Sequence, residues 1–237
     1  MLNGIHFVFQ FLAGHGRDEL FKRCFASWVK TLRPADSVVV ITSNGSFTYS
    51  GLDNVLFINC PSILLSVNKR NMGISLTDKR WTMLVDDDIL LTDYSWREKL
   101  EKVISTVGKK ESFYSLAPRV ATHKVLETFD VDGDQWCLMD RMGFNCVLAK
   151  TLVWKAIPHL NWAFIADKTY LDYITTRTKA GIFRHDKGLV DHMVTDRMKT
   201  HFIAEKFRKI KAHKNEWFDQ MLTQINDIKS FLNNYIR

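Results

Sequence analysis

Three consecutive carboxylates, Asp86, Asp87 and Asp88, follow a short apolar run in the stretch RWTMLVDDDILLT, residues 80–92. Carboxylates this close together repel one another, so a packed site that contains all three needs a compensating cation. A hard divalent cation such as Mg²⁺ or Mn²⁺ prefers oxygen ligands, and proteins commonly hold it with one or two carboxylates together with substrate phosphates. The triplet therefore predicts a site for Mn²⁺ or Mg²⁺. The competing interpretations are a group of solvated loop acids or caps of the helix that starts nearby, a role that Asp93 and Ser95 fit better.

The first 100 residues alternate between strand-like and helix-like patterns. Clusters of β-branched and aromatic residues predict strands, and apolar residues at helical spacing predict helices. The predicted strands cover 5–12, 37–42, 54–59 and 81–85, and the predicted helices cover 17–32 and 69–78. Such alternation is typical of a mostly parallel sheet that helices cover on both faces. Since ligands bind outside the carboxyl ends of such strands, the strand at 81–85 would deliver the triplet into a cleft.

The pattern is less regular after residue 100. We expect a helix, a strand, a long irregular stretch, a strand followed by a helix, and one more helix, at 95–107, 112–118, 119–142, 144–157 and 168–181. The irregular stretch contains DVDGDQW (130–136), which favours a mobile loop. Its Trp136 would either stack on a ligand or pack beneath the loop.

A single domain followed by a tail accounts for these patterns. The domain would cover 1–202, with one half at 1–100 and a second at 101–202. The tail at 203–237 keeps apolar residues at helical spacing between Lys and Arg residues, which predicts a basic helix. No basic start with a cleavage site and no run of about 20 apolar residues is present, so we expect a cytoplasmic protein, or one of the host cytoplasm if it is viral.

The segment RNMGISLTDKRWTMLVDDD, residues 70–88, resembles the signature of GT-A glycosyltransferases, particularly the family 2 group. Residues from both parts of that signature match, namely Arg70, Asn71, Gly73 and Ile74 in the first part and the acidic triplet in the second. The resemblance implies an α/β, Rossmann-like GT-A fold. It also implies transfer of a sugar from a nucleotide diphosphate donor, and it favours an inverting reaction.

The resemblance implies that 1–202 is a catalytic domain with a nucleotide-binding half at 1–100 and an acceptor-binding half at 101–202, and it assigns roles to individual residues. Those implied to bind the nucleotide sugar are Asn44, Arg70, Asn71, Asp86, Asp87 and Asn145. The implied metal ligands are Asp88, Asp86 and His192, with His185 as the second choice for the histidine. Lys69 could add a cation at the donor phosphates. The family usually carries acids where this chain has Ser43 and Asn44, although an asparagine can still hydrogen-bond a nucleobase or a ribose.

The catalytic base implied by the resemblance has two candidates. The family usually shows Glu-Asp before a helix that ends in glycine, and here Thr169 and Tyr170 occupy those positions. Asp172 matches a later aspartate of the same pattern, and Asp167 lies just before the helix. Both carboxylates therefore stay candidates for deprotonating the acceptor hydroxyl.

The charge of the chain points to an acidic partner. The formal net charge is +7, and residues 179–214 contain ten Lys or Arg against four Asp or Glu. One acceptor class is therefore DNA that carries a hydroxymethylated base, because Lys and Arg bind phosphates without reading sequence. The other is a surface glycan or a lipid-linked sugar, with the basic tail against an anionic membrane.

Two functions from other classes compete with glycosyl transfer. A metal-dependent nucleotidyltransferase also uses carboxylates at a strand end, and a non-catalytic nucleic-acid-binding module would need only the basic surface. The four cysteines are scattered without paired spacing, so neither a zinc site nor a disulfide framework is expected. No P-loop, dinucleotide-binding glycine motif or nucleophile elbow occurs, which disfavours ATPase, dehydrogenase and hydrolase functions.

Overall fold

The computed structural model describes residues 2–14, 16–52, 54–60, 66–107, 112–117, 123–156 and 180–193. Within them, a nine-stranded sheet is flanked by helices, and a two-stranded sheet lies apart from it. The elements in chain order are β1 (Ile5–Leu12), α1 (Asp18–Val29), β2 (Ser37–Ser43), β3 (Val55–Cys60), α2 (Ser66–Ser75), β4 (Trp81–Asp86), β5 (Ile89–Leu91), α3 (Trp96–Val107), β6 (Phe113–Ser115), β7 (Val125–Val131), β8 (Asp134–Met139), β9 (Cys146–Lys150), α4 (Thr151–Ala156), β10 (Ile182–His185) and β11 (Val190–His192).

The large sheet has the strand order β3-β2-β1-β4-β9-β6-β10-β8-β7. The first four strands of this order are parallel to one another, as the sequence predicted. Beyond β4 the sheet is mixed, because β9 runs antiparallel to both of its neighbours and β8 runs antiparallel to β10 and β7. The α/β class and a form compatible with a Rossmann-like sheet are therefore confirmed, while the parallel arrangement is confined mainly to the first half.

The two faces of the sheet are buried by different helices. Alternate residues of β1 point to opposite faces, as in any strand. Phe9 and Phe11 meet aromatic side chains of α1, with centroid distances of 5.0 Å to Phe25 and 4.3 Å to Phe21. Val8 lies on the other face, in a core that also contains residues of α2 and α4. α1 therefore lies on one face of β1, and α2 lies on the other.

Gly73 lets α2 approach β1 closely. An added Cβ at this position would lie 2.9 Å from Val8 Cγ2 and 3.1 Å from Val8 Cβ, and nearer still to Val8 Cγ1. The backbone oxygen of Gly73 also lies 3.1 Å from His6 Nε2, while Ser37 Oγ lies 2.8 Å from His6 Nδ1. These partners are consistent with a neutral imidazole that donates from Nε2 and accepts at Nδ1. The contact fixes the position of α2 and of the cationic residues it carries.

The prediction of an irregular stretch over 119–142 was wrong, because most of this stretch forms the hairpin of β7 and β8. The turn lies at Asp132 and Gly133, whose φ values of 53° and 85° are typical of tight hairpin turns. Trp136 of β8 is fully buried, with its ring edge-on to His185 at 5.3 Å. It therefore packs in the core and does not present a surface for stacking on a ligand.

Several predictions lie outside the described residues. These are residues 168–179 of the helix expected at 168–181, the basic tail at 203–237, and the two candidate bases Asp167 and Asp172. In the part of the chain that the structure does describe, no helix is long and apolar enough to cross a membrane.

Candidate active site

The acidic triplet lies at the carboxyl end of β4, beside the carboxyl end of β1. The two strands are parallel neighbours, with Gln10 of β1 opposite Asp86 of β4. The helix that follows β1 and the helix that precedes β4 pack on opposite faces of the sheet. A crevice opens at such a position in α/β sheets, and it is the usual place for a ligand. The predicted location of the triplet at a cleft is consistent with this geometry.

Asp86 is held by residues of β1 and α2. Gln10 Nε2 donates a short hydrogen bond to Asp86 Oδ1, and an Arg70 Nη nitrogen lies 3.5 Å from the same oxygen. The guanidinium of Arg70 also stacks over the ring of Phe144, 5.7 Å from its centroid. The backbone N–H of Asp86 donates to the carbonyl of Asn145 at 2.8 Å. Asp86 is therefore paired with a cation and oriented by two neighbouring strands.

Asp87 and Asp88 share a single arginine. Arg17 Nη2 forms a close ion pair with Asp87 Oδ1 and lies 3.4 Å from Asp88 Oδ2. The backbone N–H of Leu12 donates to Asp87 Oδ2 at 3.2 Å. Burial raises the pKa of Asp87 to about 7, against the opposing effect of Arg17. The protein's own cations therefore compensate much of the charge that the triplet concentrates here.

The second oxygen of Asp88 faces His192. The strand pair β5–β11 places His192 opposite Ile89, and the backbone N–H of Met193 donates to the carbonyl of Asp88 at 2.8 Å. His192 Nε2 then lies 3.2 Å from Asp88 Oδ1. Burial disfavours the charged imidazole, but the hydrogen bond to Asp88 and the charges of the triplet outweigh it and raise the pKa of His192.

Lys69 extends the row of cations on α2. Its ammonium group is buried and donates to the carbonyl of Phe11 at 3.1 Å and to Ser43 Oγ at 3.3 Å. Burial lowers the pKa of Lys69 to about 8, and the charges of Asp87 and Asp86 partly oppose this effect. A cation therefore lies where the carboxyl ends of β1 and β2 meet.

The remaining predicted nucleotide-binding residues lie around this edge of the sheet. Asn44 follows β2 with a φ of 62°, and its amide donates to the carbonyl of Ala13 at 3.3 Å. Asn145 borders Asp86 through the backbone, while its own side chain accepts from the N–H of Cys146 at 3.1 Å. Asn71 follows Arg70 in α2 and is half-buried, and no hydrogen bond joins it to the described aspartates.

The predicted metal ligands are only partly brought together. Among the residues that the structure describes, no three His, Cys, Asp or Glu side chains form a group able to hold a metal ion by themselves. Asp86 faces Gln10 and Arg70, but the Asp88 and His192 donor atoms are 3.2 Å apart. Adjacent ligands of an octahedral ion with bonds of about 2.1 Å are about 3 Å apart. The 3.2 Å separation is that of a hydrogen bond between the two groups, and it is also compatible with two neighbouring ligands of Mg²⁺ or Mn²⁺.

His185, the second choice for a metal ligand, belongs to a different cluster. Its Nε2 lies 3.2 Å from Asp134 Oδ1, and Lys99 Nζ contacts the same oxygen at 2.8 Å. His185 is buried against Trp136. It therefore supports the second half of the sheet and does not adjoin the described triplet.

Sequence reasoning missed two side chains of the site, Gln10 and Arg17. Gln10 interrupts the apolar run after His6 in β1, and a polar residue at a predicted buried position was the available signal. Arg17 ends the loop AGHGR after β1, where its charge could have been assigned to the carboxyl edge of the sheet.

Comparison of the chain with protein-family models found no match, and comparison with curated proteins found none either.

Proposed function

We propose that this protein is a metal-dependent glycosyltransferase of the GT-A type that moves a sugar from a nucleotide diphosphate donor to an acceptor hydroxyl. The observation that carries the proposal is the grouping at the adjacent carboxyl ends of β1 and β4, where three carboxylates lie among Arg17, Arg70 and Lys69. Cations of this kind bind phosphate oxygens through charge-assisted hydrogen bonds. The resemblance of residues 70–88 to the GT-A signature supports the same assignment.

Asp88 and His192 would hold Mn²⁺ or Mg²⁺, and the bound ion would stabilise the negative charge that develops on the departing diphosphate. Arg70 would bind a donor phosphate through its guanidinium, which the ring of Phe144 supports from one side. The ammonium of Lys69 would add positive charge behind that phosphate without leaving its buried position.

The donor nucleoside would lie over the ends of β1 and β2. Asn44 stands at this edge with its amide already hydrogen-bonded to the loop after β1. Asn71 and Asn145 flank Arg70 and Asp86 and would contact the sugar side of the donor. Gln10 orients Asp86 so that this carboxylate can accept a hydrogen bond from a donor hydroxyl.

The acceptor hydroxyl would be deprotonated by Asp172 or Asp167 as it attacks the anomeric carbon of the donor sugar. Replacing Asp172 with Asn should abolish transfer and leave donor binding unchanged, because only the proton acceptor is removed. The same replacement at Asp167 is the matched comparison. Normal turnover in the Asp172 variant together with lost turnover in the Asp167 variant would reassign the base to Asp167.

The acceptor we favour is a hydroxymethylated base in DNA. The net charge of +7 supports contacts with phosphates, and so does the stretch 179–214, which contains ten basic residues and four acidic residues. Reaching the hydroxyl would require the base to leave the stack, at a cost of a few kcal/mol. Transfer to such DNA can be measured by the mass of the released nucleosides. Transfer only to a lipid-linked or free glycan would replace this acceptor with the membrane-associated class.

Calorimetric titration of UDP and GDP, with and without Mn²⁺, tests the donor site. The wild type should bind one of the nucleotides in a metal-dependent manner, and Asp88→Asn should lose this dependence while staying folded. Asp78→Asn is the matched control, because Asp78 is fully exposed near the amino end of the same strand. Failure of the wild type to bind either nucleotide would refute the proposal. Formation of a sugar–nucleotide bond from a nucleoside triphosphate would instead identify a nucleotidyltransferase.

A further inference from the structure

We infer that Arg17 is an exchangeable counter-ion: it neutralises Asp87 and Asp88 in the free protein and binds the donor diphosphate when a divalent cation takes its place. The second half of this inference rests on the proposed function. The first half concerns only Arg17, the two carboxylates and the metal, and it can be tested without any nucleotide.

The contacts of Arg17 are those of a cation held by charge. One nitrogen, Nη2, contacts both Asp87 and Asp88, so the two parallel bonds of a fork-shaped arginine–carboxylate pair are not formed. Its Nε is buried and has no hydrogen-bond partner within the described part of the chain. A guanidinium has five N–H donors, so Arg17 retains capacity for a further anion. A phosphate group offers the oxygens that would use it.

Asp88 is the point at which Arg17 and a divalent cation compete. Its Oδ1 faces His192 at 3.2 Å, and its Oδ2 faces Arg17 at 3.4 Å. A metal bound by Asp88 and His192 would place two further positive charges beside the guanidinium. Two cations that share one carboxylate repel each other strongly in a partly buried site. Metal binding therefore drives the guanidinium away from Asp88 unless an anion enters between them.

Among the described residues, the hydrogen bonds of the Arg17 side chain go to Asp87 and Asp88. Arg17 is the residue before α1, and its side chain makes no cap hydrogen bond to that helix. The side chain is 15% exposed, so it borders solvent. Release from the two carboxylates would therefore break no other described hydrogen bond of this side chain.

Two titrations of Arg17→Gln test the inference. Mn²⁺ alone, followed by electron paramagnetic resonance, should bind the variant about tenfold more tightly than the wild type, which corresponds to one charge-assisted contact. At saturating Mn²⁺, UDP or GDP should bind the variant about tenfold more weakly by the same reasoning. Arg17→Lys should recover part of the nucleotide affinity, because a lysine keeps the charge and loses the fork geometry.

Arg23→Gln is the matched control, since Arg23 lies exposed in α1, which directly follows Arg17 in the chain, and its replacement should leave both affinities unchanged. Unchanged or weaker Mn²⁺ binding by a folded Arg17→Gln variant would overturn the counter-ion role. Unchanged nucleotide affinity would overturn the diphosphate role while leaving the proposed function intact. If the wild type binds no nucleotide at all, the diphosphate role fails with the proposed function, and the Mn²⁺ titration alone decides the counter-ion role.

Discussion

Replacing Gly73 with Ala tests the packing that positions the cations of α2. The added Cβ would lie 2.9 Å from Val8 Cγ2, whereas ordinary contacts begin at 3.4 Å, so the helix or the strand must move by at least 0.5 Å (3.4 minus 2.9). Overpacking of this kind costs about 3 kcal/mol. Alanine gains about 1 kcal/mol over glycine in helix propensity. We expect a net loss of about 2 kcal/mol in the free energy of unfolding.

Urea unfolding followed by circular dichroism measures this loss, and an unchanged slope with urea would show that only stability has changed. Ser75→Ala is the matched control, because Ser75 is exposed on the same helix. It should change the free energy of unfolding by less than about 0.5 kcal/mol. A Gly73→Ala variant as stable as the control would contradict the close approach of α2 to β1.

A double-mutant cycle separates the contact with Val8 from other effects of the alanine. Val8→Ala removes the Cγ atoms that the new Cβ would meet. Two changes in direct contact should not add, so the double variant should be destabilised by at least about 1 kcal/mol less than the sum of the single variants. Additive losses would refute the steric explanation and leave backbone strain or the His6 hydrogen bond as the cause.

Two further predictions concern buried polar groups. The pKa of His6 is lowered from 6.5 to about 4, chiefly by burial. The unfolded chain therefore takes up a proton first, and stability should fall by up to about 3 kcal/mol as the pH drops from 6.5 to 4. His6→Gln should lose this dependence, which urea midpoints over the same range would show; equal slopes in both proteins would exclude a buried neutral imidazole. Arg97 binds Asp36 through two buried contacts of 3.2 Å and 2.7 Å. Arg97→Met should cost about 3 kcal/mol or more because it leaves a buried carboxylate uncompensated, and Asp36→Asn added to it should recover part of that loss in the same urea assay.

The first half of the fold could be predicted because its signals are local. β1, β2 and β4 are buried on both faces, so they read as nearly continuous apolar runs in the sequence. The turn that leads into α3 is also local, since Asp93 Oδ1 accepts from the N–H and the hydroxyl of Ser95 at 2.8 Å and 2.6 Å. Such features depend on neighbours in the chain and need no knowledge of the tertiary structure.

The second half was harder to predict because its strands are partly exposed. β7 lies at the edge of the sheet and carries Glu127, Thr128 and Asp130 on largely exposed positions. An edge strand with this composition has little apolar periodicity to distinguish it from a loop. The burial of Trp136 depends on the register of β8 against β10, which pairs it with His185. No pattern within residues 119–142 contains that information.

The site shows the same division between local and distant information. Its acids are adjacent in sequence, but Arg17, Arg70 and His192 come from three separate elements that meet only after the sheet has formed. From the sequence, three adjacent aspartates seemed to require a metal for charge compensation. In the folded chain, arginines already provide much of it. A metal ion at this site would therefore depend on one pair, Asp88 and His192, whose donor atoms lie 3.2 Å apart, a distance compatible with neighbouring ligands.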